Sequence, residues 1–189
     1  MSRAPLHERI AAFKPSMKHT LQLCMSRLRE VFGLDLRSLA LFRVSLGLLI
    51  IADLINRGRY LVAHYTDFGV LPRHALLEYF ANKWHVSLHL AGGSEGFQAF
   101  LFAVAFIFAL MLMVGYRTRL ATIVSWVLLV SLQLRNPMVL QGGDALFKML
   151  VFWAMFLPLG AKFSVDSALS GVQSKIDRPF LSMGSVGLY

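Results

Sequence analysis

Phe97-Gln-Ala-Phe-Leu-Phe-Ala-Val-Ala-Phe-Ile-Phe-Ala-Leu-Met-Leu-Met-Val114 contains no ionisable side chain. A helix in water keeps one polar face, and this stretch has no such face. Crossing the hydrocarbon core of a bilayer takes about 20 mostly apolar residues, with about 17–25 as the working range. Three more apolar stretches accompany it: Leu36–Ile55, Leu120–Leu134 and Leu146–Leu159. The first of these reaches spanning length unaided, and the other two reach it with flanking residues such as Thr118 and Gly160. The expected fold class is therefore all-α, a polytopic transmembrane helical bundle of about four spans.

Composition points the same way. The 189 residues are 57% hydrophobic and only 15% charged, within the length of one compact unit. The net charge of +9 would suggest nucleic acid in a water-soluble chain. No aromatic-basic recognition motif accompanies it, so the expected partner is the lipid bilayer and not nucleic acid. The lone Cys24 excludes an internal disulfide. The start, Met1-Ser-Arg-Ala-Pro, has no signal-peptide core, and the first apolar run is too long for a cleaved one.

Basic residues set the expected orientation. Twelve Lys and Arg lie before the first span, in the link 115–119 and in the tail, against five in the 57–96 loop and the 135–143 connection. By the positive-inside rule both termini are cytoplasmic in a cell inner membrane, with those two connections outside. Residues 1–34 form a cytoplasmic segment in which Leu21, Met25, Leu28 and Phe32 share one face of a basic interfacial helix over Lys18–Phe32. Residues 35–169 form the membrane domain, and 170–189 a tail that looks like the start of a further helix. Asp35 is placed to cap the first span and Gly115 to end the second. Thr118 is placed to cap the third, Asn136-Pro137 to stop it, and Pro158-Leu-Gly160 to close the fourth.

Charge inside a membrane is costly, about 2.5–3.5 kcal/mol at a helix centre, so Arg43, Asp53, Asp144 and Lys148 stand out. Arg43 has two readings, a side chain that snorkels or ties helices, or a site residue. Asp53, with Arg57 at i+4, reads as a surface ion pair. Asp144 and Lys148 share a helix face, and with Asn136, Gln141 and the Gly142-Gly143 pair they suggest the polar end of an outward-opening cavity. The alternative is a helix start neutralised by its own salt bridge. The cavity reading expects Arg43, Asp144 and Lys148 to approach one another or Asn136, and Asp144→Leu to lower folded yield more than His85→Ala.

In the outer loop, Leu76, Phe80, Trp84 and Leu88 recur at four-residue steps from His74 onward. Glu78, His85 and His89 fall on another face. Two histidines at i, i+4 suit a metal, yet no zinc-protease pattern surrounds them. The simpler expectation is an amphipathic interfacial helix with its histidines in water and no metal.

These residues together resemble a known family. Asp35-Leu-Arg-Ser-Leu-Ala-Leu-Phe-Arg43 with Gly47, Tyr65-Thr-Asp-Phe-Gly-Val-Leu-Pro-Arg73, Gly115-Tyr-Arg-Thr-Arg119, Arg135-Asn-Pro137, Gly143-Asp144, Phe156-Leu-Pro-Leu-Gly160 and Ser164-Val-Asp166 fall in order across about residues 35–169. The series resembles the HTTM family, whose membrane domain is similar to the transmembrane part of vitamin K-dependent gamma-carboxylase. The resemblance implies a lipid-embedded bundle with a cytoplasmic N-terminus. It also implies a gamma-carboxylase-like (lyase) chemistry using reduced vitamin K or another quinone. The family's essential lysine lies on a later helix, beyond Tyr189, and Lys148 does not match it. Gly143-Asp144 stands where the carboxylases carry a histidine. Carboxylase activity by this chain alone is accordingly not expected.

Two functional readings result. One is a membrane protein whose polar cavity, with Arg43, Asn136, Asp144 and Lys148 as candidates, handles a quinone or lipid-like substrate. The other is a non-catalytic membrane module that pairs with another protein or a second copy. A transporter has only the buried charges in its favour, because no inverted repeat is present.

Overall fold

The computed structural model describes residues 33–80, 86–170 and 183–188, together with Thr20, Gln22, Ser26 and Arg27. Those last four residues are helical. The rest of the expected basic helix, and Trp84 and His85 of the outer loop, lie outside the described residues. The architecture is all-helical, with no strand among the described residues. Its elements are α1 (Leu36–Gly58), α2 (Leu61–Tyr65), α3 (Arg73–Tyr79), α4 (Glu95–Val114), α5 (Thr118–Arg135), α6 (Gly142–Ala154), α7 (Val165–Ser170) and α8 (Met183–Leu188). Short 3-10 turns at Leu88–Leu90 and Pro137–Val139 punctuate the connections.

Helix ends follow local chemistry. The Asp35 carboxylate accepts from Arg37 N–H at 3.2 Å and starts α1. Gly115 ends α4 at φ +80°, with its own N–H on Leu112 O and Tyr116 N–H on Met111 O, the bonding of a glycine-terminated helix. The N-terminus of α5 is a correction. Thr118 does not cap it; Asp166, brought from 48 residues away, takes the N–H groups of Arg117 (2.7 Å) and Thr118 (2.8 Å) and the Thr118 hydroxyl.

Two helices, α1 and α4, are long and apolar enough to cross a membrane. The expected fourth span is shorter than Leu146–Leu159: α6 begins at Gly142 and stops at Ala154, 13 residues in all. Pro158 disfavours helix at the residue before it, so residues 155–164 continue as turns. Among the described residues of the expected outer-loop helix, α3 covers Arg73–Tyr79, and His89 sits in a 3-10 turn.

The helices pack in chain order as an arc: α1 on α4, α4 on α5, α5 on α6, with α8 against α6. Gly47 brings α1 and α4 together, since a Cβ there would lie 2.7 Å from Met113 Cβ. Ala105 and Ala109 keep the α4 side of the core small, the means by which helices approach closely in lipid. The outward faces are apolar too: Leu41 and Leu48 on α1, Phe100 and Ile107 on α4, Leu120 and Ile123 on α5, and Met149 on α6 are all exposed.

Candidate functional site

The arc leaves α1 and α6 facing each other across a cleft of about 560 Å³. Its walls are Leu49 and Ala52 on one side and Leu146, Phe147 and Leu150 on the other. One end is polar, built from Asp53, Asn56, Arg57, Gln141 and Asp144.

Arg57 organises that end. It continues the inward stripe Leu46, Ile50, Leu54 on α1 and is buried like them. Its Nε donates to both Asp53 oxygens at 2.8 Å, one helical turn back. Its Nη2 donates to Asp144 Oδ1 at 2.5 Å across the cleft, and its Nη1 reaches the Tyr65 hydroxyl at 3.3 Å. The other Asp144 oxygen accepts from Gln141 N–H at 2.8 Å, closing the first turn of α6. Gln133 Nε2 donates to the Asp144 carbonyl at 3.2 Å. The Asp53–Arg57 pair is thus not a surface ion pair. It is the α1 half of a three-residue bridge that joins the two ends of the arc.

A second polar cluster lies in the connection between α1 and α4. Arg73 grips Asp67 with Nε at 3.0 and 2.9 Å and donates from Nη1 to Leu90 O. The Arg73 guanidinium holds the Asp67 carboxyl below the usual carboxylate range, against the opposing pull of burial. Arg135 is wholly buried and donates to Leu71 O and Thr66 O, with Asp67 at 3.6 Å. Asn136 Nδ2 donates to His64 O at 3.0 Å.

His89 is buried, not in water as expected. Gln98 Nε2 donates to the carbonyls of His89 and Gly92, so Gln98 Oε1 is the acceptor for His89 Nδ1 at 2.7 Å. Burial pushes the imidazole pKa below its ordinary value. Glu78 is exposed on α3, so these two do not share a ligand face. Among the described residues no group of His, Cys, Asp or Glu is arranged to hold a metal.

The four expected cavity residues are therefore divided. Asp144 lines the cleft, and Asn136 braces the neighbouring loop. Arg43 belongs to the opposite end of the molecule, where it donates to Leu159 O at 3.0 Å and Phe163 O at 2.6 Å beneath Gly115. Arg57 stands 14 residues further along the same helix, about 21 Å at 1.5 Å per residue. Lys148 is half-buried on α6 and does not line the cleft. Arg57 was the residue to find, and its i+3 and i+7 spacing from Leu54 and Ile50 carried the signal. No family model, curated protein or solved structure matches this chain.

Proposed function

We propose that the chain is an integral multi-pass membrane protein of the HTTM type, whose α1/α6 cleft binds the apolar body of a quinone or other lipid-like ligand. In this reading α1, α4, α5 and α6 are embedded in the bilayer, both termini are cytoplasmic, and the charged end of the cleft faces outward. The cleft itself carries the proposal: it is open on the apolar flank of the molecule, walled by hydrophobic side chains, and ends in Asp53, Arg57 and Asp144.

The outward apolar faces on all four helices support the embedding. Large exposed apolar patches on soluble proteins mark interaction or membrane surfaces, and exposed large apolar side chains recur on each of these helices. The 18-residue α5 is about 27 Å long, with Arg119 and Arg135 at its two ends. The 13-residue α6 reaches about 20 Å, and the turns that follow it complete the crossing. The family-like fragments also meet in space. Those of Arg43, Gly115–Arg119, Phe156–Gly160 and Asp166 gather at one end, and those of Tyr65–Arg73, Arg135–Pro137 and Asp144 at the other. No lysine among the described residues lines the cleft. The proposed activity is accordingly ligand binding, not carboxylation by this chain.

Photo-crosslinking tests this. A benzophenone-bearing lipid or quinone should label peptides around Leu49–Arg57 and Leu146–Leu150. Ala52→Trp should abolish that labelling at unchanged helix content. Labelling spread evenly over the outer face of α4, indifferent to Ala52→Trp, would overturn the proposal. A second reading, a module whose open side takes a helix of another subunit, draws on the half-buried Lys148, which has no ion-pair partner among the described residues. A stoichiometric second chain that shields the cleft from the probe would favour it.

A further inference from the structure

The polar end of the cleft carries an unbalanced charge. One guanidinium, Arg57, faces two carboxylates, Asp53 and Asp144. The remaining polar lining, Asn56 and Gln141, is uncharged, and no other charged side chain among the described residues lines the cleft. Helix dipoles do not correct the balance. The N-terminus of α6 contributes roughly half a positive charge, and the C-terminus of α1 roughly half a negative one. A net negative site at the edge of hydrocarbon is costly unless a cation completes it.

Of the two carboxylates, Asp53 is the more accessible. Its side chain is 21% exposed, against 12% for Asp144 and 9% for Arg57. Asp144 is further committed to the α6 turn through Gln141 N–H. Both Asp53 oxygens accept from the single Arg57 Nε–H, and the lone pairs left over on this more exposed carboxylate are the acceptors open to whatever enters.

We infer that the headgroup this cleft selects bears an ammonium, the amine end of a lipid such as phosphatidylethanolamine, seated against Asp53. Its acyl chain lies along Leu49, Phe147 and Leu150. An anionic headgroup meets like charge at the same place, and a neutral quinone ring leaves the excess charge unmatched. This rests on the reading of the cleft as a lipid-binding site and names the class of lipid.

The test offers the detergent-purified chain an equimolar mixture of phosphatidylethanolamine and phosphatidylglycerol and counts retained lipids by native mass spectrometry. Phosphatidylethanolamine should be enriched about tenfold, corresponding to about 1.4 kcal/mol of discrimination. Asp53→Asn should bring the ratio to near one through loss of phosphatidylethanolamine, with phosphatidylglycerol retention no lower than in the wild type. A control needing no mutation uses N-acetyl phosphatidylethanolamine, whose blocked amine should reduce retention by the wild-type chain to the phosphatidylglycerol level. Equal retention of the two lipids, undiminished binding of the blocked lipid, or displacement by an equimolar neutral quinone would each overturn the ammonium inference and leave the cleft standing. Unchanged total lipid on Ala52→Trp would instead remove the cleft reading itself.

Discussion

Arg57 shows how one side chain decides whether an arc of helices closes. It ties α1 to α6 through Asp144 and to its own helix through Asp53. Removing one partner of a buried pair costs about 3–5 kcal/mol, because the remaining charges lose compensation. Arg57→Leu should therefore lower the melting temperature in detergent far more than a substitution at exposed Arg59, and lose the α1–α6 proximity reported by a spin-label pair. Asp144→Leu should follow the same direction. His89 makes a separate prediction about pH. Its folded-state pKa is depressed, so the unfolded chain binds a proton more readily and stability falls as pH drops below about 6.5. Melting curves between pH 7.5 and pH 5.5 (~7.5 to ~5.5 brackets that unfolded value) should show the slope in the wild type. His89→Phe should flatten it, whatever its effect on stability itself.

At the scale of elements, what the sequence makes legible is local. Asp35 and Gly115 act on the residues beside them, and both helix ends fall where expected. The fourth helix and the α5 cap do not, because their causes are distant or competing. Asp166 reaches α5 from 48 residues away, and no spacing rule points across that interval. Gly142-Gly143 starts α6 early because Asp144 and Gln141 close its first turn, while Pro158 ends the helical potential of the apolar run. The cleft was half visible: Asp144 and Gln141 marked the α6 wall. Arg57 lay past the last apolar residue of its stretch and read as surface. Two substitutions probe these contacts. Asp166→Ala leaves the first N–H groups of α5 uncapped and should cost about 0.5–2 kcal/mol, the usual range for a lost cap. Gly47→Leu drives a side chain into Met113 and should cost about 1–3 kcal/mol by overpacking. Both are read as shifts in thermal unfolding monitored by circular dichroism.

For the whole molecule, the physics turns on which solvent meets the outward faces. Leu41, Phe100, Leu120 and Met149, one on each of the four helices, are all exposed, so each helix has apolar surface on both sides. Acyl chains satisfy such a surface, and the polar clusters then sit at its two ends: Arg43 with Asp166 at one, and Arg57, Arg73 and Arg135 with their carboxylates at the other. Orientation is checked through Cys24, the single cysteine. In intact cells a membrane-impermeant maleimide should leave Cys24 unlabelled, and it should label Phe68→Cys in a Cys24→Ser background. The reverse pattern would invert the topology.

The most direct measurement places nitroxide labels, one at a time, at Leu48, Ile107, Val127 and Met149 of the chain reconstituted into vesicles. At all four sites collisions with oxygen should exceed those with a water-soluble nickel chelate, as for a label in hydrocarbon. Ready access of the nickel chelate to Val127 and Met149 would show that α5 and α6 lie in water and would contradict the account.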